Sequence, residues 1–182
     1  MNVDLTPYAG DYVRIAFLHT AGRDSWGHPS ESTGWYIDEV QIPQADNVVI
    51  YDVPLDSDPG WDMEGQWEYG IPAGQGGEDH GNPDPTAGNT GQHVLGVNLA
   101  GDYTVAIGVP YALTAGPFDL SGYRDVKLEF ARYLNTDEPG YVEDAVEVSV
   151  DDGNTWYPVW KHMDASPITD SMWTTVRHPL GA

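Results

Sequence analysis

The sequence predicts an all-β sandwich or barrel, and three observations carry that expectation. Short apolar runs alternate with polar residues at a period of two. Turn-forming residues punctuate them, with 21 Gly and 14 Pro in 182 residues. No stretch sustains the 3.6-residue apolar repeat of an amphipathic helix. Tyr12 to His19 is the first strand, with Val13, Ile15 and Phe17 on one face and Arg14 and Ala16 on the other. Gly34 to Ile42 is the second, stopped by Pro43, and Asn47 to Val53 is an apolar run suited to a buried strand. Residues 54–92 are crowded with Gly, Pro and Asp, yet hold Trp61, Trp67 and Tyr69, so an ordered loop pinned by aromatics is expected there. Strands follow at His93 to Leu99 and Tyr103 to Ile107. Val126, Leu128, Phe130 and Leu134 alternate with Lys127, Glu129 and Tyr133, and Val146, Val148 and Val150 with Glu147 and Ser149. Thr155 to Trp160 and Met172 to Arg177 complete the series.

Composition narrows the function classes. The chain has 29 Asp+Glu against 7 Lys+Arg, a formal charge of −22, and no cysteine. A body this acidic repels phosphate backbones and anionic lipid, which argues against nucleic-acid partners and membrane docking. The lack of cysteine removes disulfides, thiolate zinc sites and cysteine nucleophiles, while leaving the redox compartment open. No apolar run approaches the roughly 20 residues of a membrane-spanning helix, so a soluble chain without membrane insertion is expected. The first residues lack the basic and apolar regions of a signal peptide. With 40% hydrophobic residues, 7 Trp and 11 Tyr, the charge sits on a folded body. The acid is mostly Asp, 20 against 9 Glu. Asp favours turns, caps and hard-cation sites, so a solvated acidic surface and oxygen cages for calcium are both compatible with it.

Ser149, Asp151, Gly153, Thr155 and Trp156 fit the Ser-x-Asp-x-Gly-x-Thr-Trp pattern of an Asp-box. In such a hairpin Asp151 accepts turn amides, Gly153 takes a positive φ, and Thr155-Trp156 begin the return strand. The pattern specifies a hairpin and says almost nothing of function. Sialidases carry several copies around a propeller, but this chain has one copy and only five arginines.

Gly34-Trp35-Tyr36-Ile37-Asp38-Glu39-Val40 resembles the closing strand of bacterial MAM-like jelly-roll modules, which accompany secreted metallopeptidases of the immune inhibitor A type and many surface proteins. Asp4 to Gly10, followed by Val13 to Phe17, is similar to the strand before it, also seen in gingipain-type adhesin modules. Trp67 to Pro72, Val97 to Tyr103, Val126 to Phe130 and Asp144 to Ser149 resemble the early and central strands. Glu39 stands where a second Asp is common, which departs from the family pattern. The resemblance implies a jelly-roll-like β-sandwich in an extracellular or cell-surface protein. It also implies one Ca²⁺ near the closing strand and first loop, for which Asp38, Asp58, Asp62 and Asp102 are the candidates; each is otherwise a turn cap or a solvated charge.

The order of these pieces is unusual. In the family the closing strands come last; here they occupy residues 1–43, ahead of a main body at 44–182. The chain therefore reads as one repeat period cut out of phase, or as a circular permutant. The favoured arrangement is a tandem array or self-assembling chain in which residues 1–43 complete the sandwich of a neighbouring copy and build a head-to-tail fibre; the alternative is that they close on the 126–150 strands of their own chain.

The expectation from sequence is thus a non-catalytic structural or adhesive repeat that associates with its own copies. The runner-up is a carbohydrate-binding module, with Trp26, Trp61, Trp67 and Tyr69 as sugar platforms, and the third is an accessory domain of a secreted hydrolase or metallopeptidase. Catalysis has little support: no zinc-peptidase, nucleophile-elbow or phosphate-loop motif occurs. His80 is a candidate transition-metal ligand or, more simply, a solvated loop residue. Carboxylate pairs abound, but none is distinguished as a glycosidase pair.

Overall fold

The computed structural model describes residues 8, 10–22, 31–44, 48–77, 80–104 and 109–180, with residues 179–180 described by backbone alone. It is an all-β sandwich of two antiparallel sheets. Among the described residues there is no α-helix, and none is long and apolar enough to cross a membrane. The strands are β1 (Tyr12–Ala21), β2 (Gly34–Gln44), β3 (Val48–Val53), β4 (Asp62–Met63), β5 (Trp67–Gly70), β6 (Val94–Val97), β7 (Tyr111–Asp119), β8 (Val126–Thr136), β9 (Val142–Ser149), β10 (Tyr157–Lys161), β11 (Ile168–Thr169) and β12 (Thr174–Leu180).

One sheet has five strands in the order β10-β9-β1-β7-β4. The other has seven, running β11-β8-β2-β6-β5, with β12 also pairing β8 and β3 also pairing β2. The first two strands are therefore interior strands of the two sheets. β1 lies between β7 and β9, with Phe17 opposite Leu113 on one side and Val146 on the other. β2 pairs β8, with Trp35 opposite Leu134. β1 and β2 thus complete the sandwich of their own chain and not that of a neighbour.

Alternation explains the core. Val13, Ile15 and Phe17 of β1 point inward and are fully buried, as do Val126, Leu128 and Phe130 of β8 and Val146 and Val148 of β9. The sheets interlock where the Phe17 ring meets Trp35 edge-on, centroids 5.8 Å apart, and Phe130 edge-on at 5.2 Å. Trp35 also packs on Trp67 and Trp160. A polar tie joins the sheets at one end: buried Asp144 of β9 accepts from Thr136 of β8 at 2.6 Å and bonds Nδ1 of His19 on β1, also at 2.6 Å.

Several strands differ from the sequence expectation. β3 was expected to be buried but is an edge strand, with Val48 53% exposed. Its apolar run lies along the outside of the sheet beside the second half of β2. Pro43 does not stop β2; a register shift between Ile42 and Pro43 accommodates the ring within the strand. β10 starts at Tyr157, two residues later than the Asp-box pattern implied. The expected strand at Tyr103 is an irregular segment as far as residue 104, and residues 105–108 lie outside the described ones. β7, with Gly116-Pro117 inside it, was not anticipated, although it flanks β1.

Truncating Phe17 to Ala removes the ring on which Trp35 and Phe130 both close. Urea unfolding is expected to show a loss of about 3–5 kcal/mol, whereas Thr20→Ala on the other face of β1 changes stability by less than about 0.5 kcal/mol.

Candidate functional site

Residues 71–77 and 80–93 fold back over the outer face of the seven-stranded sheet, and buried acids anchor them there. The anchoring begins with a bulge in β2. Glu39 has φ 50°, and the β2–β8 register slips between Asp38 and Gln41. Asp38 is thereby fully buried. Its Oδ1 accepts the Glu39 amide at 2.8 Å and its Oδ2 accepts the Thr90 amide at 3.0 Å. Burial pushes the Asp38 carboxyl above the usual range, and those amides work against the shift. The Glu39 carboxylate accepts from the Asn89 side chain. Asp38 Oδ2 and the His93 carbonyl oxygen lie 2.6 and 2.8 Å from where a Cβ on Gly88 would stand, with the Thr90 carbonyl oxygen closer still. Only glycine fits there.

A second anchor lies two residues earlier in β2. Tyr36 is fully buried and donates its hydroxyl to Asp84 Oδ1 at 2.6 Å, with the carbonyls of Thr33 and Asn98 each 3.2 Å away. Asp84 is 4% exposed, its amide bonds the Gln75 carbonyl at 2.8 Å, and its Oδ2 has no hydrogen-bond partner. Burial pushes the Asp84 carboxyl up to about 6, helped by the charge of Asp102 and opposed by the Tyr36 hydroxyl. Burial and Asp84 together hold the Tyr36 phenol far above its ordinary range. Tyr133 donates to the Pro83 carbonyl at 2.8 Å and Trp173 to that of Ala87 at 3.3 Å. Tyr36, Tyr133, Val94 and Leu99 form a small apolar cluster, with Trp173 against it, that the loop covers.

The four metal candidates do not assemble into one centre. Asp58 is exposed and accepts the Gly60 amide at 2.9 Å, a local turn cap. Asp62 is exposed on β4. Asp102 holds the glycine-rich loop through a 2.6 Å bond from the Gly77 amide. Among the described residues no group of three or more His, Asp or Glu is placed to hold a metal ion, and His80 is exposed, offering its backbone carbonyl to Ser32 at 3.2 Å.

The candidate sugar platforms are occupied in packing. Trp67 is 4% exposed and its indole donates to the Tyr111 carbonyl at 3.2 Å. Trp61 is half-buried, edge-on to Phe118. Tyr69 stacks on His93, centroids 5.2 Å apart, and donates to the Leu55 carbonyl at 3.0 Å. Trp26 lies outside the described residues.

The Asp-box hairpin has the expected local chemistry. Gly153 has φ 88° and donates to Ser149 Oγ at 2.8 Å, Ser149 donates to Asp151 at 2.8 Å, and the Thr155 amide bonds Asp151 at 2.7 Å. Hydrogen bonds from Thr155 and Ser149 hold the Asp151 carboxyl below its ordinary range. Trp156 packs over Gly153. Sequence reasoning did not single out Asp84 or the buried His19–Asp144 pair. Asp84 stands between two prolines and reads as a turn residue, and the partners of the pair are 125 positions apart.

Comparison with protein-family models, with curated proteins and with solved structures returns no match.

The raised Asp84 carboxyl fixes the sign of one pH effect. The folded chain holds this proton up to about pH 6, the unfolded chain only to about pH 3.9. Stability therefore falls as pH rises from about 4 to 6 and the Asp84 contribution is flat above that. Denaturation in EDTA at pH 4.5 and pH 8 is expected to show Asp84→Asn gaining stability relative to the parent at the higher pH. A difference that is the same at both values would count against the assignment.

Proposed function

We propose that the chain is a non-catalytic structural or adhesive β-sandwich module of an extracellular or cell-surface protein, closed on itself and clipped by calcium. One observation supports this best: acids and aromatics on and beside the long loops are engaged within the fold. Asp38, Asp84 and Asp102 take loop amides or a buried phenol, and Trp67 and Tyr69 of β5 bond the Tyr111 and Leu55 carbonyls. Loops held in this way make a locked scaffold, the form suited to a spacer or adhesive repeat.

The calcium part rests on the resemblance and on the buried Asp38 carboxyl, beside which Glu39 stands. Carboxylate oxygens are hard donors of the kind that Ca²⁺ takes. Asp38 and Glu39 would hold the ion, and the ion would supply charge balance there. Asp58 and Asp62 have no part in this proposal.

Self-association is proposed as modules joined in series, each sandwich complete, and not as strand exchange. The hairpin of β2 and β3 spans the boundary at residues 43–44, pairing Val40 with Val53 and Gln44 with Val48. Donating residues 1–43 to a neighbour would tear this hairpin apart.

Two measurements test the proposal. Saturating calcium is expected to raise Tm by about 5–10 °C over EDTA, corresponding to about 2.7 kcal/mol at a hundredfold excess over Kd. Asp38→Asn should abolish that increment when each protein is compared with itself in the two buffers; an unchanged Tm in the parent would sink the calcium clip. Light scattering on the purified chain is expected to give a monomer, and concentration-independent fibres would overturn self-closure.

A further inference from the structure

The two outer faces of the sandwich are not alike. Residues 80–93 cover the seven-stranded sheet at Tyr36, Tyr133 and Trp173. On the five-stranded sheet the outer face has a groove of about 420 Å³ lined by side chains from β1, β7 and β9. Register explains the groove. Ala16 stands opposite Thr114 on one side and Glu147 on the other, and Leu18 opposite Ala112 and Ala145. Small residues thus meet across three adjacent strands and form a floor low enough that outward-facing Ala16 is only 2% exposed.

The walls carry different chemistry. Glu64 stands along one side, its backbone amide bonded to the Ala112 carbonyl at 2.9 Å and one carboxylate oxygen held by the Ala112 amide at 3.1 Å. Glu147 and the Asp-box Trp156 stand along the other. A second hollow of about 370 Å³ lies farther along β1, lined by Arg14, by Tyr12, which is 62% exposed, and by Pro117. Between them the two hollows are lined by the outward row of β1, Tyr12 and Arg14 in one and Ala16 and Leu18 in the other, a row of roughly 20 Å at strand rise. The cations at its margin are engaged, Arg14 with Asp152 at 2.6 Å and Lys161 with Glu143 at 2.5 Å.

From this arrangement we infer that the outer face of the five-stranded sheet binds an extended neutral oligosaccharide along β1. Tyr12 and Trp156 offer aromatic surface to the apolar faces of sugar rings over the Ala16 floor, and Glu64 and Glu147 accept hydrogen bonds from hydroxyls. Ionised carboxylates are acceptors only, so the ligand must bring donors. It must do so without negative charge, because a body of net charge −22 repels uronates and sulfated sugars. A peptide strand lying on a sheet face finds no free backbone ladder, which is available only at an edge. The Asp-box hairpin acquires a role here, since its bonds from Ser149 and Thr155 to Asp151 fix where Trp156 stands at the groove wall. This inference goes beyond the structural reading and does not depend on the calcium clip.

The test is titration calorimetry with cellohexaose, xylohexaose, mannohexaose and laminarihexaose, each with and without EDTA. At least one is expected to bind with Kd of about 1 mM or tighter. Glu147→Gln should weaken that binding about tenfold, the loss of one hydrogen bond to a charged group. Tyr12→Ala should also weaken it, and Ala112→Trp, which fills the floor, should abolish it, all at unchanged Tm. The inference is overturned if none of the four binds, if Ala112→Trp binds as the parent does, or if hexalysine binds with the same dependence on Glu147 and Ala112. Binding that persists in EDTA alongside a calcium-insensitive Tm would separate this site from the fate of the clip.

Discussion

Everything in this sandwich is arranged around the contact of Phe17 with Trp35. The two rings belong to β1 and β2, the strands that lie inside the two sheets, and Phe130 closes on Phe17 from the neighbouring strand. Edge-to-face packing fixes the relative position of the sheets, because a shift along either strand would put the Phe17 edge against a different side chain. Apart from the local β2–β3 hairpin, the partners of β1 and β2 come from residues 94–149, so both strands reach their interior places only when distant segments pair with them. Non-local pairing of this kind makes for slow, cooperative folding.

The acid of this protein is only partly a solvent coat. Asp38, Asp84, Asp102, Asp119, Asp151 and Asp170 each accept a hydrogen bond from a nearby amide or hydroxyl. Asp170 shows the range of such use: it pairs Arg132 through both carboxylate oxygens, at 3.0 and 3.2 Å, and takes the Leu134 amide at 3.0 Å. Carboxylates here do for the loops what ladder bonds do for the strands. That explains the excess of Asp over Glu, since the shorter side chain reaches its own backbone neighbourhood. It also explains why chain rich in Gly and Pro stays ordered beside the sheets.

Legibility in the sequence followed the alternation of burial. β1, β8 and β9 were readable because apolar and polar residues alternate along them, whereas β2, buried on both faces at its start, was readable through its Trp-Tyr-Ile run. β3 misled because Val48, Val49 and Ile50 form an apolar run on an edge, where hydrophobicity reports no burial. β7 escaped because Gly116-Pro117 interrupts its pattern. At the site, Asp38 stood out through its place in the closing-strand motif. Asp84 was hidden between Pro83 and Pro85, because a turn residue and a buried anchor look alike until Tyr36 is known to reach it. The groove on the five-stranded sheet could not be seen at all. Ala16, Thr114 and Ala112 carry no local signal, and only the register that sets them side by side makes a floor of them.

The placement of the strands also has a mechanical consequence. Among the described residues β12 pairs with β8 alone, whereas β1 is held by both β7 and β9. A pull through the C-terminal end of β12 opens its ladder one pair at a time, at low force. The same pull through β1 must break two ladders at once. In a string of such modules under tension, extension would begin at the C-terminal strand, while the aromatic core and the acid-anchored loops stayed intact.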